Sequence, residues 1–595
     1  MDRTGKIAVA LALAVIIGWT LYQSSIAPPP KPAVAPSATP AVAGASPAQG
    51  ATSTETVTPA APAPTPEPEP ALPEQTQVIK TPLIDYTFTN HGGGILRAQL
   101  NNQWVDNESK KNVVLNQYGP VPIGATSDKP NDGADASYTG TLVGTDGISY
   151  QRTTEQQIQF TKKFTLPTAT QGVDQYLATL DLSIANMGKQ NYNSDGYYVY
   201  LGAAGPIHRT DMTRYIAMDW YVNGKASEIN VASFNGSNVP VLGHAERPEY
   251  PFPGVNTNFG DHIAWGAVYD QYFTSIVTPI AGPDGSLANR VWANRLPVDV
   301  DTHESGPAWF SSHPAGSVPA LWAINGTIGM PPFSLKPGDT YTRQFKIYLG
   351  PREYRLLSQL DQGQDAVLRF GMFGIVSRTL LDMMNWLEKV VGSYAVAIIV
   401  LTVAIKLLLW PLQNRSTQSM KKMQALAPKI KTMQEKYKDD PAKLNQETIR
   451  LYKTYGINPV AGCLPMVIQL PIFFGFYSML ASAIELRNSK FLWVHDLSQP
   501  DTIGHFLGFP FNILPLCMAA TSAWMMSMTP KSGDSSQQKM MMFMPLLFLW
   551  ICYNYASGLA LYMMVSNLFS VVQFIVTKKT TAPTLEKVAV AGKKR

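Results

Sequence analysis

Tyr394-Ala-Val-Ala-Ile-Ile-Val-Leu-Thr-Val-Ala-Ile-Lys406-Leu-Leu-Leu-Trp410 is an apolar run broken by a single ammonium group. It reads as a helix dissolved in hydrocarbon, where a central lysine costs ~2.5–3.5 kcal/mol on insertion scales. A cation kept at that cost is a candidate functional group facing a wet cavity. A second reading stands beside it: Lys406 lies one turn from Trp410, near the end of the run, and a lysine stem can lift its charge to the headgroups.

Four more apolar blocks follow, Leu464–Ala483, Phe511–Met528, Met540–Tyr555 and Leu559–Val576, each near the ~20 residues that cross a bilayer as a helix. Ile7–Tyr22, preceded by Arg3 and Lys6, fits either a cleaved signal or an uncleaved anchor, with Ser25-Ile26-Ala27 as a small-residue cleavage candidate; both imply export. Counting it, six spans are expected. Lysine and arginine crowd the loop after Trp410 (Arg415, Lys421, Lys422, Lys429, Lys431, Lys436) and the tail (Lys578, Lys579, Lys587, Lys593). Such bias marks the cytoplasmic side, so both termini are expected inside.

The rest divides by composition. Residues 28–74 are almost wholly Pro, Ala, Thr, Ser and Glu, which cannot form a core and predicts a tether. Beyond it, Tyr176, Ala178, Leu180, Leu182 and Ile184 alternate with polar neighbours, as do Ile158, Phe160, Phe164 and Leu166, and Phe345, Ile347 and Leu349. That is the period of half-buried strands, and their number predicts a large β-sandwich leashed at both ends. Asn90-His91-Gly92-Gly93-Gly94 lacks the Lys-Ser/Thr of a phosphate loop and reads as a turn between strands. All three cysteines, Cys463, Cys517 and Cys552, fall in apolar blocks. No disulfide is therefore expected in the exported domain, and no spacing suggests a metal or other cofactor.

Between the domain and the first core span, Met372, Phe373, Val376, Leu380, Met384 and Leu387 recur at helical spacing, fitting either an interfacial amphipathic helix or a soluble linker helix. In the basic loop, Met423, Leu426, Ile430, Met433 and Tyr437 form a first helical arm. Leu444, Leu451 and Tyr455 form a second after Asp440-Pro441, and Pro428 is expected to kink or split the first. The loop's charge is either topogenic or a contact for anionic lipid, ribosomal RNA or a nascent chain. The expected layout is a mixed fold: signal anchor 1–24, tether 25–78, all-β domain 79–352, amphipathic helix 369–390, five-helix core 393–578 with hairpin 413–457, and basic tail 579–595.

The membrane half resembles the YidC/Oxa/Alb family of membrane-protein insertases, in particular its six-span Gram-negative type. The resemblance rests on Tyr455-Gly-Ile-Asn-Pro-Val-Ala-Gly-Cys463-Leu-Pro-Met-Val-Ile-Gln469-Leu-Pro-Ile-Phe473, Trp493-Val-His-Asp-Leu-Ser498, Gln538-Lys-Met-Met-Met-Phe-Met-Pro545, Ser557-Gly-Leu-Ala-Leu-Tyr562 and Val565-Ser-Asn567, in family order. The β-domain carries weaker support, such as Asp270-Gln-Tyr-Phe273. The resemblance implies a non-enzymatic insertase and chaperone for inner-membrane proteins. Its implied partners are nascent membrane proteins, lipids, the Sec translocon and the ribosome, with no DNA.

It also implies that Lys406 sits in a hydrophilic groove. The usual residue there is arginine, and lysine keeps the charge while losing the planar fork; Met563 likewise replaces a usual aromatic. Residue physics offers companions: Thr402 one turn before Lys406, Gln469 in the next span, and Tyr562, Ser566 and Gln573 along the last. Each polar residue taken singly is equally read as helix packing. A secondary transporter or channel using the intramembrane lysine is the alternative function, without the inverted repeat such folds carry.

Overall fold

The computed structural model describes residues 73–578 except 108–109, 131, 133–135, 170, 209–210, 237–244, 253–258, 261, 283–284, 299–320, 439, 458–459, 507–508 and 529–534. The expected anchor over 1–24, the tether through residue 72 and the tail over 579–595 lie outside the described residues.

Alternation builds the β-domain. In Leu177–Asn186, Ala178, Leu180, Leu182 and Ile184 are at most 1% exposed between half-buried neighbours. The adjoining strand, Thr340–Pro351, sets Phe345 opposite Leu180 and Ile347 opposite Ala178, so apolar pairs line one face. These two strands lie inside a nine-stranded antiparallel sheet in the order Lys225–Asn230, Ala217–Val222, Ile263–Tyr269, Phe273–Pro279, Thr340–Pro351, Leu177–Asn186, Ile158–Thr165, Gly147–Thr153, Thr139–Leu142. A five-stranded sheet, ordered Glu249–Tyr250, Arg290–Val298, Leu321–Met330, Tyr197–Ala204, Thr126–Ser127, covers part of its face. The sheets meet closely at Gly266, where a Cβ would come within 2.5 Å of the Ile328 side chain. A four-stranded sheet over Thr76–Leu115 completes the expected sandwich, which starts at Thr76 rather than residue 79.

Lys162 breaks the apolar pattern. It is fully buried, and its ammonium donates to the carbonyls of Gly92 at 2.7 Å, Gly124 at 3.2 Å and Gly93 at 3.3 Å. The glycine-rich turn is thus a cradle for a lysine of the same domain, and burial holds the Lys162 pKa well below its ordinary value.

The domain's C-terminal exit is not a leash. Arg352 donates to the carbonyls of Asp270 (2.7 Å), Gln271 (3.0 Å) and Val367 (2.5 Å). Arg369 pairs with Asp219 and Glu228, each at 2.9 Å. Arg369 sits at φ 44°, a left-handed conformation that costs a non-glycine residue, and the ion pairs hold it there. Asp219 is fully buried; burial pushes its pKa up to about 6 against the pull of Arg369.

The exit runs into α1 (Gly374–Val391), which buries Leu380, Leu381 and Met384 against the helices that follow and leaves Ile375, Trp386 and Val390 exposed. That two-faced pattern is common to the interfacial and the linker-helix readings. Gly392, left-handed at φ 71°, ends it, and α2 (Tyr394–Lys436) begins at once. At 43 residues α2 is ~64 Å long, about twice a ~30 Å hydrocarbon core. The first span and the first hairpin arm are therefore one helix, and of the kink or split expected at Pro428 the split does not occur. A proline deletes one hydrogen bond and crowds one carbonyl, while the second arm, α3 (Pro441–Thr454), packs alongside with the Tyr455 hydroxyl accepting from Lys429 at 2.5 Å.

After α3 come α4 (Val460–Ser482), α5 (Ile513–Met528), α6 (Ser535–Cys552) and α7 (Ser557–Lys578). By length and composition, α2 and α7 are long and apolar enough to cross a membrane, while α5 is shorter. The close approach of α4 to α1 falls at Gly475, where a Cβ would lie 2.7 Å from Val376.

The β-domain docks on the connection between α4 and α5. Arg487 donates to the carbonyls of Trp104 (3.0 Å) and Val105 (3.1 Å), Asn107 to those of Asn488 and His495 (both 3.1 Å), and Gln271 to that of Ala481 (2.7 Å). His208 Nε2 joins Val105 at 2.8 Å while its Nδ1 faces Asp211 at 3.4 Å. Burial pulls the His208 pKa down and the nearby Arg487 charge does the same, but the hydrogen bond and charge of Asp211 outweigh them, and the net shift is upward.

Two outcomes follow from these ion pairs. Arg369→Ala strands the Asp219 carboxylate and is expected to cost about 3–5 kcal/mol, more than Asp219→Asn, which leaves Arg369 its Glu228 partner; thermal unfolding of the purified protein ranks the two, and equal losses refute the clamp. Because the folded His208 pKa is raised, its stabilisation of the junction is complete below its ordinary value of 6.5 and lost as pH climbs through the raised value. Hydrogen exchange at 104–107 and 484–490 should therefore speed up at alkaline pH, and less so in His208→Gln.

Candidate functional site

Helices α2, α4 and α7 pack together, and their polar side chains gather along the seam. Lys406 on α2 is half-buried and turns across to α7, donating to Ser570 Oγ at 3.2 Å. Ser570 is 6% exposed, and its own hydroxyl donates back to the Ser566 carbonyl at 2.9 Å. Gln573, one turn further, is equally buried, and its Nε2 has no hydrogen-bond partner. An ammonium with donor capacity left over and an unanswered amide lie on one face of an apolar helix pair. Both are donors, so the seam suits an incoming acceptor such as a peptide carbonyl or a carboxylate.

A second polar pair lies about two turns toward the β-domain. Gln469 on α4 donates to the Tyr562 hydroxyl at 3.2 Å, and the Tyr562 ring stacks on Phe476 with centroids 4.1 Å apart. The sequence-derived site residues therefore separate: Lys406 joins Ser566 through Ser570, Gln573 lies one turn beyond without a bond to them, and Gln469 joins Tyr562. Thr402 is buried, and its hydroxyl is bonded to its own helix at the Ile398 carbonyl, 2.7 Å.

Ser570 was not among the sequence-derived residues, although it continues the same track one turn after Ser566. Lys421, which donates to the Thr577 carbonyl at 3.2 Å, ties α2 to the end of α7. Nor did the sequence expose the docking roles of Gln271 and Tyr272 in the Asp270–Phe273 motif, whose side chains reach Ala481 and Ser498.

Apolar helices around a buried polar seam, fastened to a large β-sandwich, define a polytopic membrane protein with an exported domain. Residues 76–383 match the family described as the YidC periplasmic domain, and residues 386–584 the family described as 60Kd inner membrane protein. The chain is 30% identical over 599 residues to the membrane protein insertase YidC of Syntrophus aciditrophicus (strain SB), covering 96% of this chain and 98% of that protein. It is 31% identical over 599 residues to the membrane protein insertase YidC of Citrifermentans bemidjiense (strain ATCC BAA-1014 / DSM 16622 / JCM 12645 / Bem), covering 98% and 100%. A solved structure of an active YidC insertase aligns with 85% of this chain and 93% of that one, with TM-score 0.33 and 17% identity. The chain belongs to the YidC family of membrane protein insertases. It is an inner-membrane protein whose β-domain is periplasmic, and its family is one of insertases rather than enzymes.

The Gln469–Tyr562–Phe476 contact separates hydrogen bonding from packing. Tyr562→Phe keeps the stack and loses one hydrogen bond, at about 1 kcal/mol; Tyr562→Ala loses both and is expected to cost several times more. Thermal unfolding in detergent measures the difference, and equal losses would show that the ring contributes nothing.

Proposed function

We propose that the seam between α2, α4 and α7 is the insertion groove, with Lys406, Thr402, Gln469, Tyr562, Ser566 and Gln573 lining the path of a nascent membrane protein. The observation that carries this reading is the Lys406–Ser570 contact one turn from the unpartnered Gln573 Nε2, on a largely apolar helix pair. Polar backbone without a partner costs several kcal/mol per group in hydrocarbon. A seam offering donors lets the substrate's polar outer segment enter part-way while its apolar segment slides into lipid beside α7. Hydrophobic partitioning then drives release. Thr402, bonded to its own helix, shapes the wall and donates nothing to the substrate.

The loop charges support a topology of six spans with both termini cytoplasmic. In that orientation the far half of α2, together with α3, forms a basic cytoplasmic hairpin. We assign to it and to the basic tail the contacts with the ribosome and anionic lipid, and to the whole chain a use both alone and beside the Sec translocon.

Insertion into proteoliposomes tests the groove. Lys406→Arg is expected to retain insertion, Lys406→Ala to slow it by on the order of tenfold, equivalent to about 1.4 kcal/mol of barrier, and Lys406→Glu to abolish it. Full activity of Lys406→Ala would remove Lys406 from the mechanism.

A further inference from the structure

The α4–α5 connection carries apolar side chains that nothing in the fold covers. Phe491 and Val494 exchange backbone hydrogen bonds of 2.9 and 2.8 Å, which closes a two-residue turn. Leu492, at its tip, is 76% exposed and left-handed at φ 52°, a conformation natural to glycine and strained for a bulky side chain. Further along, on the strand pair Thr502–Phe506 and Phe509–Asn512, Ile503 and Phe511 are also exposed. A single exposed leucine is ordinary on a protein surface; a strained one accompanied by two more large apolar groups on the same connection is not. The turn is also built rather than loose. Val494 and Leu497 beside it are buried. The Trp493 indole donates to Asp501 Oδ2 at 3.1 Å, and the same oxygen accepts from the Leu514 backbone N–H at 2.7 Å, in the first turn of α5. Thr502 donates to Asn512 Oδ1 at 2.7 Å, and Asn512 donates in turn to the Tyr553 carbonyl at 2.8 Å, just after α6. The groups that hold the apolar side chains out therefore also fix the ends of α5 and α6.

The periplasmic β-domain docks on this connection through Arg487 and Asn107, which places the turn on the outer side of the membrane. Helix α5, with 16 residues, is about 24 Å long, less than the ~30 Å of a hydrocarbon core. With its inner end at the inner boundary, its outer end falls short of the outer one, and Phe511, two residues before α5, stands within the outer leaflet. The apolar surface of the connection is thus continuous with the lipid-facing surface of the helices. We infer that the Phe491–Val494 turn, together with Ile503 and Phe511, is an anchor in the outer leaflet, and that its partner is the boundary between lipid acyl chains and headgroups. Leu492 enters the acyl region, and Trp493 lies at headgroup level, where an indole has one apolar face and one polar group to satisfy. Lys490, exposed at the foot of the turn, extends toward lipid phosphate. Burial of Leu492 in lipid offsets the strain of its backbone, which a turn facing water would have no reason to keep. The anchor holds the outer ends of α4 and α5 at one depth beneath the water-soluble domain docked on them. It stands independently of the groove reading of Lys406.

Spin-label depth measurements on the full-length protein in phosphatidylethanolamine and phosphatidylglycerol vesicles test this. A genetically encoded nitroxide residue, which leaves the native cysteines in place, is set at position 492, 503 or 511. Two exposed positions serve as references: 142 on the β-domain for water, and 547 on α6 for hydrocarbon. The ratio of collisions with oxygen to collisions with a water-soluble nickel chelate is expected at 492 and 511 to be several-fold above that at 142 and to approach that at 547. Ratios at 492 and 511 equal to that at 142 overturn the anchor and show instead a bilayer thinned to the length of α5. Leu492→Gly, which the left-handed backbone accepts without strain, keeps the turn and removes its tip. In that variant the ratio at 503 is expected to fall several-fold as the connection rises toward water, and an unchanged ratio at 503 overturns the assignment of Leu492 as the anchoring side chain.

Discussion

Hydrocarbon supplies no hydrogen bonds, so every polar group on a membrane helix is answered by the protein or opens onto water. Most of the seam obeys the first option. Thr402, Ser570 and Thr577 each return their hydroxyl to a carbonyl one turn back, and Gln469 finds Tyr562. Lys406 and Gln573 are the departures: one ammonium shared with a single hydroxyl, one buried amide with none. Their unmet capacity makes the helix contact a place for a transient polar guest.

The β-domain is held to the helices at several separate places. Its C-terminal exit is zipped down by Arg352 and Arg369, and its edge is pinned to the α4–α5 connection by Arg487, Asn107 and Gln271. Arginine suits both, since its fork satisfies several carbonyl or carboxylate oxygens at once. A domain fixed in this way keeps one orientation over the α4–α7 seam. Without the second attachment, the exit segment alone would let the domain swing.

The strands were legible because burial on one face writes a period of two into the chain. Ala178, Leu180, Leu182 and Ile184 carry that period without interruption. Lys162 sits on an apolar face of a neighbouring strand, and no pattern reveals that three glycine-loop carbonyls wait for it, since carbonyls belong to every residue. Lys406 stood out for the opposite reason, as a charge where none is tolerated without cause. Ser570 did not, because a serine on a membrane helix is unremarkable until a cation turns toward it. At Pro428 the local rule allowed a kink or a break: the deleted hydrogen bond is real, but the flanking turns and the packing of α3 carry the helix past it without a break.

Sequence by itself determined the division into an exported β-sandwich and an apolar helical core, the lysine inside that core and the family motifs around it, because hydropathy and periodicity are properties of consecutive residues. Tertiary structure alone decided which hydroxyl meets Lys406, that Gln573 is left unanswered, that the first span and hairpin arm are one helix, and that the β-domain is braced over the seam. The Lys406 contact and the docking contacts join positions 164 to 388 residues apart, and no local pattern encodes such distances.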